Sequence, residues 1–165
     1  FNQPMVKTAP VLLTFCIDLR RFTKWCEQRK ATPGYNNLEW FVTGSVDALL
    51  AAQTFCVAAE EKGLGICYLG TTTYNPQMII EALELPELVF PITTVTVGWP
   101  AEEPAQVDRL SLEAIVHEET YHDYTPGDID RLYAYKESLP ENKLFKEDNE
   151  VMSENLWKVI KKQGF

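Results

Sequence analysis

Apolar and polar positions alternate in clear blocks along this chain. Residues 11–17 (VLLTFCI) form a nearly continuous apolar run bounded by Pro10 and Asp18, the pattern of a strand buried on both faces. Asp18 can cap the next element, residues 20–28, whose helical spacing puts Phe22, Trp25 and Cys26 on one side. Pro33 and Gly34 break that helix, and Asn36 or Asn37 is placed to start another.

The longest regular block covers residues 40–62. It has no Gly or Pro after Ser45, and Phe41, Ser45, Ala48, Ala52, Phe55 and Ala59 form a stripe at steps of three and four. Val46, Leu49, Leu50 and Val57 occupy other faces, so this helix is apolar nearly all round. Such a helix is buried by its own domain or by a partner subunit. Gly63 ends it as the residue just past the cap.

Residues 64–69 predict a second strand, followed by Gly70 and the Thr71–Thr72–Thr73 loop. Asn75 and Pro76 read as the cap and first position of a helix reaching Leu85, with Pro86 as its stop. Residues 90–97 (FPITTVTV) predict a β-branched, alternating third strand closed by Gly98–Trp99–Pro100. Residues 101–125 read as an extended loop with one short helical piece. Residues 128–135 and 152–163 read as amphipathic helices. A sheet covered by helices follows from this order, in the α/β or α+β class.

Composition bounds the rest. The 165 residues suffice for one domain, and 45% hydrophobic with 24% charged residues is a globular balance. Fifteen basic against 24 acidic residues leave a net charge of −9. That argues against a nucleic-acid partner, which needs a basic face, and against docking on anionic membranes. Cys16, Cys26, Cys56 and Cys67 form no CxxC pair, so they are expected to be reduced and the chain cytoplasmic. No run is expected to reach transmembrane length, and no signal peptide is visible.

The Gly63–Leu64–Gly65 turn is no dinucleotide-binding fingerprint, because it closes a helix and opens a strand, the reverse of that motif. His117 beside Glu118 and Glu119 suggests a metal or acid–base cluster, but adjacent positions point to different sides of any regular element. A structural or solvated histidine is the better reading, and no metal is expected. Asp47 is expected to bond locally or across a dimer, and Glu60 and Glu61 to cover a solvated helix end. Trp25 and Trp40 could border an aromatic substrate. Arg109, beside Asp108, is by itself an ordinary loop arginine.

Several blocks together carry a family resemblance: FNQPMVKTAPVLLTFCIDLRRF at the start, then DALLAAQTFCVAAEEKGLGICYLG, VTVGWPAEEPAQVDRLSLEAIVHEETY and a final KKQGF. In this order they resemble the oxygen-insensitive NAD(P)H nitroreductases and flavin oxidoreductases. The resemblance implies an α+β sandwich with a central, mostly antiparallel sheet covered by helices, in an intertwined homodimer with FMN at the subunit interface. It implies ping-pong hydride transfer from NADH or NADPH to a small aromatic acceptor, a nitroaromatic or a quinone. Under it, Gln3 matches a glutamine that hydrogen-bonds the flavin ring. Tyr68, Leu69, Gly70 and Thr71 match the loop laid against the ring, with Thr71 where relatives often have glycine, and Arg109 matches an arginine on the FMN phosphate. An arginine fork suits a phosphate because it bonds two oxygens at once.

Two departures accompany the match. Val107 stands where relatives often carry lysine, and the Arg-Ser-x-Arg helix that the resemblance implies is expected upstream of Phe1 in the native protein. The expectation is a single nitroreductase-like domain over residues 1–165, incomplete at its N-terminus, with residues 138–150 shortened or missing a segment. The alternative is a non-catalytic dimeric scaffold that has lost flavin. A family offshoot such as a deiodinase or dehydrogenase on the same flavin is a third reading.

Overall fold

The computed structural model describes residues 3–139 and 160–164. It resolves into two compact units, one of residues 3–102 with 160–164 and one of residues 103–139. The fold is α+β. In the first unit the order is α1 (Pro4–Thr8), β1 (Val11–Asp18), α2 (Arg20–Gln28), α3 (Leu38–Glu61), β2 (Gly65–Leu69), a 3-10 turn (Gly70–Thr73), α4 (Pro76–Ala82) and β3 (Val89–Gly98). The second unit holds a 3-10 turn (Leu112–Ala114) and α5 (Pro126–Ser138). Most of the helix expected at 152–163, and the segment expected to be shortened at 138–150, lie largely outside the described residues.

The sheet runs β1-β3-β2 and is antiparallel throughout. The central strand β3 takes the burial that the sequence suggested for β1. Phe90 and Val95 are wholly buried, while Val11 and Leu12 at the start of β1 are 44% and 47% exposed. The expectation of a β1 buried on both faces is therefore corrected, since the described residues leave the start of this strand uncovered. A register shift between Phe15 and Cys16 marks a bulge in that edge strand.

The helix ends follow local chemistry. Asp18 Oδ1 accepts from the Arg21 N–H at 3.0 Å, and Asn37 Oδ1 from the Trp40 N–H at 3.2 Å. Gly63, at φ +75°, closes α3 in the left-handed region that a side chain disfavours. α4 stops at Ala82, short of the expected Leu85, and Glu84 turns the chain at φ +51° so that the Leu85 N–H reaches the Ile80 carbonyl at 2.9 Å. Asn75 caps by position only, with no side-chain hydrogen bond to the first turn. α1 was not expected; Pro4 at its first position favours it.

α3 lays its small residues on the sheet. Ala48, Ala52, Cys56 and Ala59 are buried, and Cys56 packs with Val95 and Val97. A second cluster joins Ile17, Ile80, Phe90 and Ile160, with Phe41 of α3 edge-on to Phe90 at 5.5 Å. By length and composition the 24-residue α3 is apolar enough to cross a membrane, with a mean hydropathy of 1.4 over an 18-residue window, contrary to the expectation that no run reaches that length. One face of it packs on the sheet. Val42, Val46, Leu49, Leu50 and Val57 on its other faces are exposed. All four cysteines are free, and burial together with the nearby Asp18 carboxylate raises the Cys16 thiol pKa.

Candidate functional site

The residues singled out by resemblance fall at three places. Tyr68 and Leu69 end β2, and Gly70 and Thr71 open the 3-10 turn, so these four are one continuous stretch of backbone. Gln3 is the N-cap of α1. Arg109 lies in the second unit.

Strand alternation divides the stretch between the two faces of the sheet. Tyr68 pairs with Val95 and lies on the α3 side, where its hydroxyl donates to Gln53 Oε1 at 3.3 Å. Desolvation, with the Cys56 thiol beside it, pushes the Tyr68 phenol up to about 12, so it stays a donor at neutral pH. Leu69 pairs with Thr94 and is buried. Thr94 and Thr14 share a hydroxyl–hydroxyl hydrogen bond of 3.1 Å across the β1–β3 pair.

On that second face a cavity of about 500 Å³ opens between the sheet and α4. Thr71, Thr14 and Thr94 are among its lining residues, with Leu12, Met78 and Leu83 among the apolar ones. Among the described residues no charged side chain lines it. Its size suits a small organic molecule. Gly70 has open space where a Cβ would stand, which leaves its backbone approachable.

Two buried side-chain atoms lack any hydrogen-bond partner among the described residues: Gln3 Oε1 and Thr71 Oγ1. A buried polar atom without a partner costs free energy, and a bound water, ion or ligand that completes the bond offsets it. Both belong to residues that the resemblance places on a flavin ring. The ring offers an N–H for an acceptor such as Gln3 Oε1, and carbonyl and imine acceptors for a hydroxyl such as Thr71 Oγ1. The residues present thus fit a flavin.

In the second unit Arg109 is exposed, and its Nη1 donates to the Asp108 carbonyl at 2.9 Å. The Asp108 carboxylate is held by Lys136 at 2.7 Å, which ties this segment to α5. His117 takes the structural role expected of it. Its Nδ1 accepts from the His122 N–H at 3.2 Å, and its Nε2 faces the Tyr124 hydroxyl at 3.3 Å. That hydroxyl donates to the Ala114 carbonyl at 2.8 Å, which leaves it to accept from a protonated Nε2. Among the described residues no group of His, Cys, Asp and Glu is placed to hold a metal ion.

The sequence did not single out Gln53, Thr14, Thr94 or Met78. Thr14 and Thr94 sit one on each of two strands and meet only through strand register, which no local pattern encodes. The start of α5 was legible and missed: Thr125-Pro126-Gly127-Asp128 is a capping box with proline at the first position.

The Nitroreductase family matches residues 1–99. The chain is 42% identical over 125 residues to FMN reductase [NAD(P)H] of Bacillus subtilis (strain 168), covering 73% of this chain and 49% of that protein. It is 33% identical over 148 residues to the oxygen-insensitive NADPH nitroreductase of Salmonella typhimurium (strain LT2), covering 90% and 59%. A solved structure from Bacteroides fragilis NCTC 9343, provisionally named an oxidoreductase, superposes at a TM-score of 0.91 with 67% identity, covering 99% of this chain and 74% of that one. The chain spans about half the length of the curated relatives it matches.

Proposed function

Because this chain belongs to the nitroreductase family, we propose that it is part of an FMN-dependent NAD(P)H oxidoreductase that reduces nitroaromatics or quinones by ping-pong hydride transfer. The observation that carries the reading is the pair of buried, unpartnered oxygens on Gln3 and Thr71. Relatives named FMN reductase and NADPH nitroreductase supply the chemistry they suit. When bound, FMN supplies the hydride relay between nicotinamide and acceptor.

The chain's own residues bind and orient. Gln3 and the backbone of Leu69–Thr71 would hold the ring, and the Tyr68–Gln53 bond fixes the end of β2. Arg109, which makes no ion pair among the described residues, anchors the phosphate. The working form is a homodimer, and the exposed Val42, Val46, Leu49, Leu50 and Val57 of α3 are the surface it buries.

Absorption spectroscopy of the purified complete protein, followed by FMN titration of the apo form, tests the reading. A flavin spectrum and NAD(P)H oxidation that depends on a nitroaromatic or quinone are expected. A protein that takes up no FMN is instead the non-catalytic scaffold, a reading that the neutral Val107 beside Arg109 favours.

A further inference from the structure

Of the threonines in or beside the turn after β2, Thr72, Thr14 and Thr94 have their hydroxyls occupied. Thr72 Oγ1 donates to the Leu69 carbonyl at 2.9 Å, and Thr14 and Thr94 bond each other at 3.1 Å. Thr71 differs. Its carbonyl accepts from the Tyr74 N–H at 3.1 Å, but its hydroxyl is buried and has no partner among the described residues. A threonine in a helical turn ordinarily bonds back to a carbonyl three or four residues earlier, as Thr72 does. Thr71 Oγ1 makes no such bond, because the residues three and four before it lie in β2, and Thr71 is one of the residues lining the 500 Å³ cavity.

We infer that the Thr71 hydroxyl is a positioning donor for the flavin ring, bonding an acceptor atom on the edge of the oxidised isoalloxazine. The inference rests on the FMN reading above and assigns the contact to the side chain rather than to the backbone of the loop. A hydroxyl held unpartnered before the ligand arrives destabilises the empty protein and gains its bond only when the ring is present. Its removal therefore has opposite effects on the two forms, a signature that a merely structural threonine lacks.

Thr71→Val keeps the shape and deletes the hydroxyl, and Thr71→Ser keeps the hydroxyl. The complete protein is stripped of FMN, apo melting temperatures are measured, and FMN is titrated back by fluorescence quenching. Thr71→Val is expected to melt at or above wild type in the apo form and to bind FMN about tenfold more weakly, one hydrogen bond's worth. Thr71→Ser should bind within about twofold of wild type. A lower apo melting temperature for Thr71→Val would show that the hydroxyl has a partner in the protein, and would overturn the inference. So would unchanged FMN affinity while wild type binds FMN normally. A wild-type protein that binds no FMN fails at the earlier step and removes the cofactor reading itself.

Discussion

Gly44 shows how one missing side chain sets a packing distance. A Cβ built there would lie 2.5 Å from Ile17 Cγ2, and Ile17 is only 2% exposed, so it has little room to swing away. Alanine is the better helix former by about 1 kcal/mol, whereas forcing a methyl into a filled core costs about 1–3 kcal/mol. The clash prevails, and Gly44→Ala is expected to lower stability in urea unfolding. A variant as stable as wild type would mean that Ile17 yields. Tyr68 gives a prediction in pH. Its phenol is raised to about 12 in the folded protein, against an ordinary value near 10. A raised value favours the protonated form in the native state. The stabilisation is therefore complete below about pH 10 and is lost as pH rises toward 12. Tyrosinate absorbance should show one late-titrating tyrosine that disappears in Tyr68→Phe. An unchanged late component in that variant would assign it elsewhere.

Among the elements, the short C-terminal turn acts on a distant connection. Gln163 Nε2 donates to the Pro86 and Val89 carbonyls at 3.2 and 3.1 Å, and its own carbonyl accepts from the Leu88 N–H at 2.9 Å. Three bonds thus fasten the α4–β3 link, where Leu88 stands at φ +66°. Gln163→Ala removes the two side-chain bonds from a buried position and should cost about 1–3 kcal/mol. Hydrogen exchange should then quicken at Val89 and Phe90, and unchanged protection there would count against the clamp. α5 has its own device. The Thr125 hydroxyl accepts from the Asp128 N–H, and the Asp128 carboxylate accepts from the Thr125 N–H at 3.0 Å. The hydroxyl and backbone bonds from Thr125, with Arg131 adding to them, hold the Asp128 carboxyl below its usual value. A depressed carboxyl contributes stability above its unfolded pKa and loses it as pH falls through the folded one. α5 should therefore loosen in acid before the first unit does.

For the whole molecule, α3 poses the main question. A 24-residue helix with only Ala48, Ala52, Cys56 and Ala59 buried has most of its apolar surface uncovered by the described residues. Obligate interfaces resemble a core cut in half, and a helix apolar on all faces needs a second wall. Sedimentation of the complete protein at micromolar concentration should give a dimer, and Leu50→Asp together with Val46→Asp should weaken it. A stable monomer with native spectra would sink the interface. Arg109 belongs to the same scale, because it is exposed, makes no ion pair among the described residues, and its proposed partner is a phosphate of the assembled protein. Arg109→Ala should weaken FMN binding by about 1.5–3 kcal/mol, as for a charge-assisted bond, and leave the fold intact. Equal affinities in an FMN titration would return it to the loop surface.

Local patterns alone determined the elements whose causes are local. α2 follows from Asp18 and its periodicity, α3 from Asn37 and Gly63, and the strands from their apolar, β-branched runs, because capping and burial period act within a few residues. The order of blocks identified the family and singled out the stretch from Tyr68 to Thr71 as a candidate site. Tertiary structure alone decided the rest. Which strand is central, and so why β3 rather than β1 is buried on both faces, depends on pairing between strands far apart in sequence. The split of Tyr68 and Thr71 onto opposite faces, the Thr14–Thr94 bond and the unpartnered hydroxyl of Thr71 arise from register and packing between distant segments. A hydroxyl's need for a partner is a property of everything around it, and no single stretch of sequence contains that surrounding.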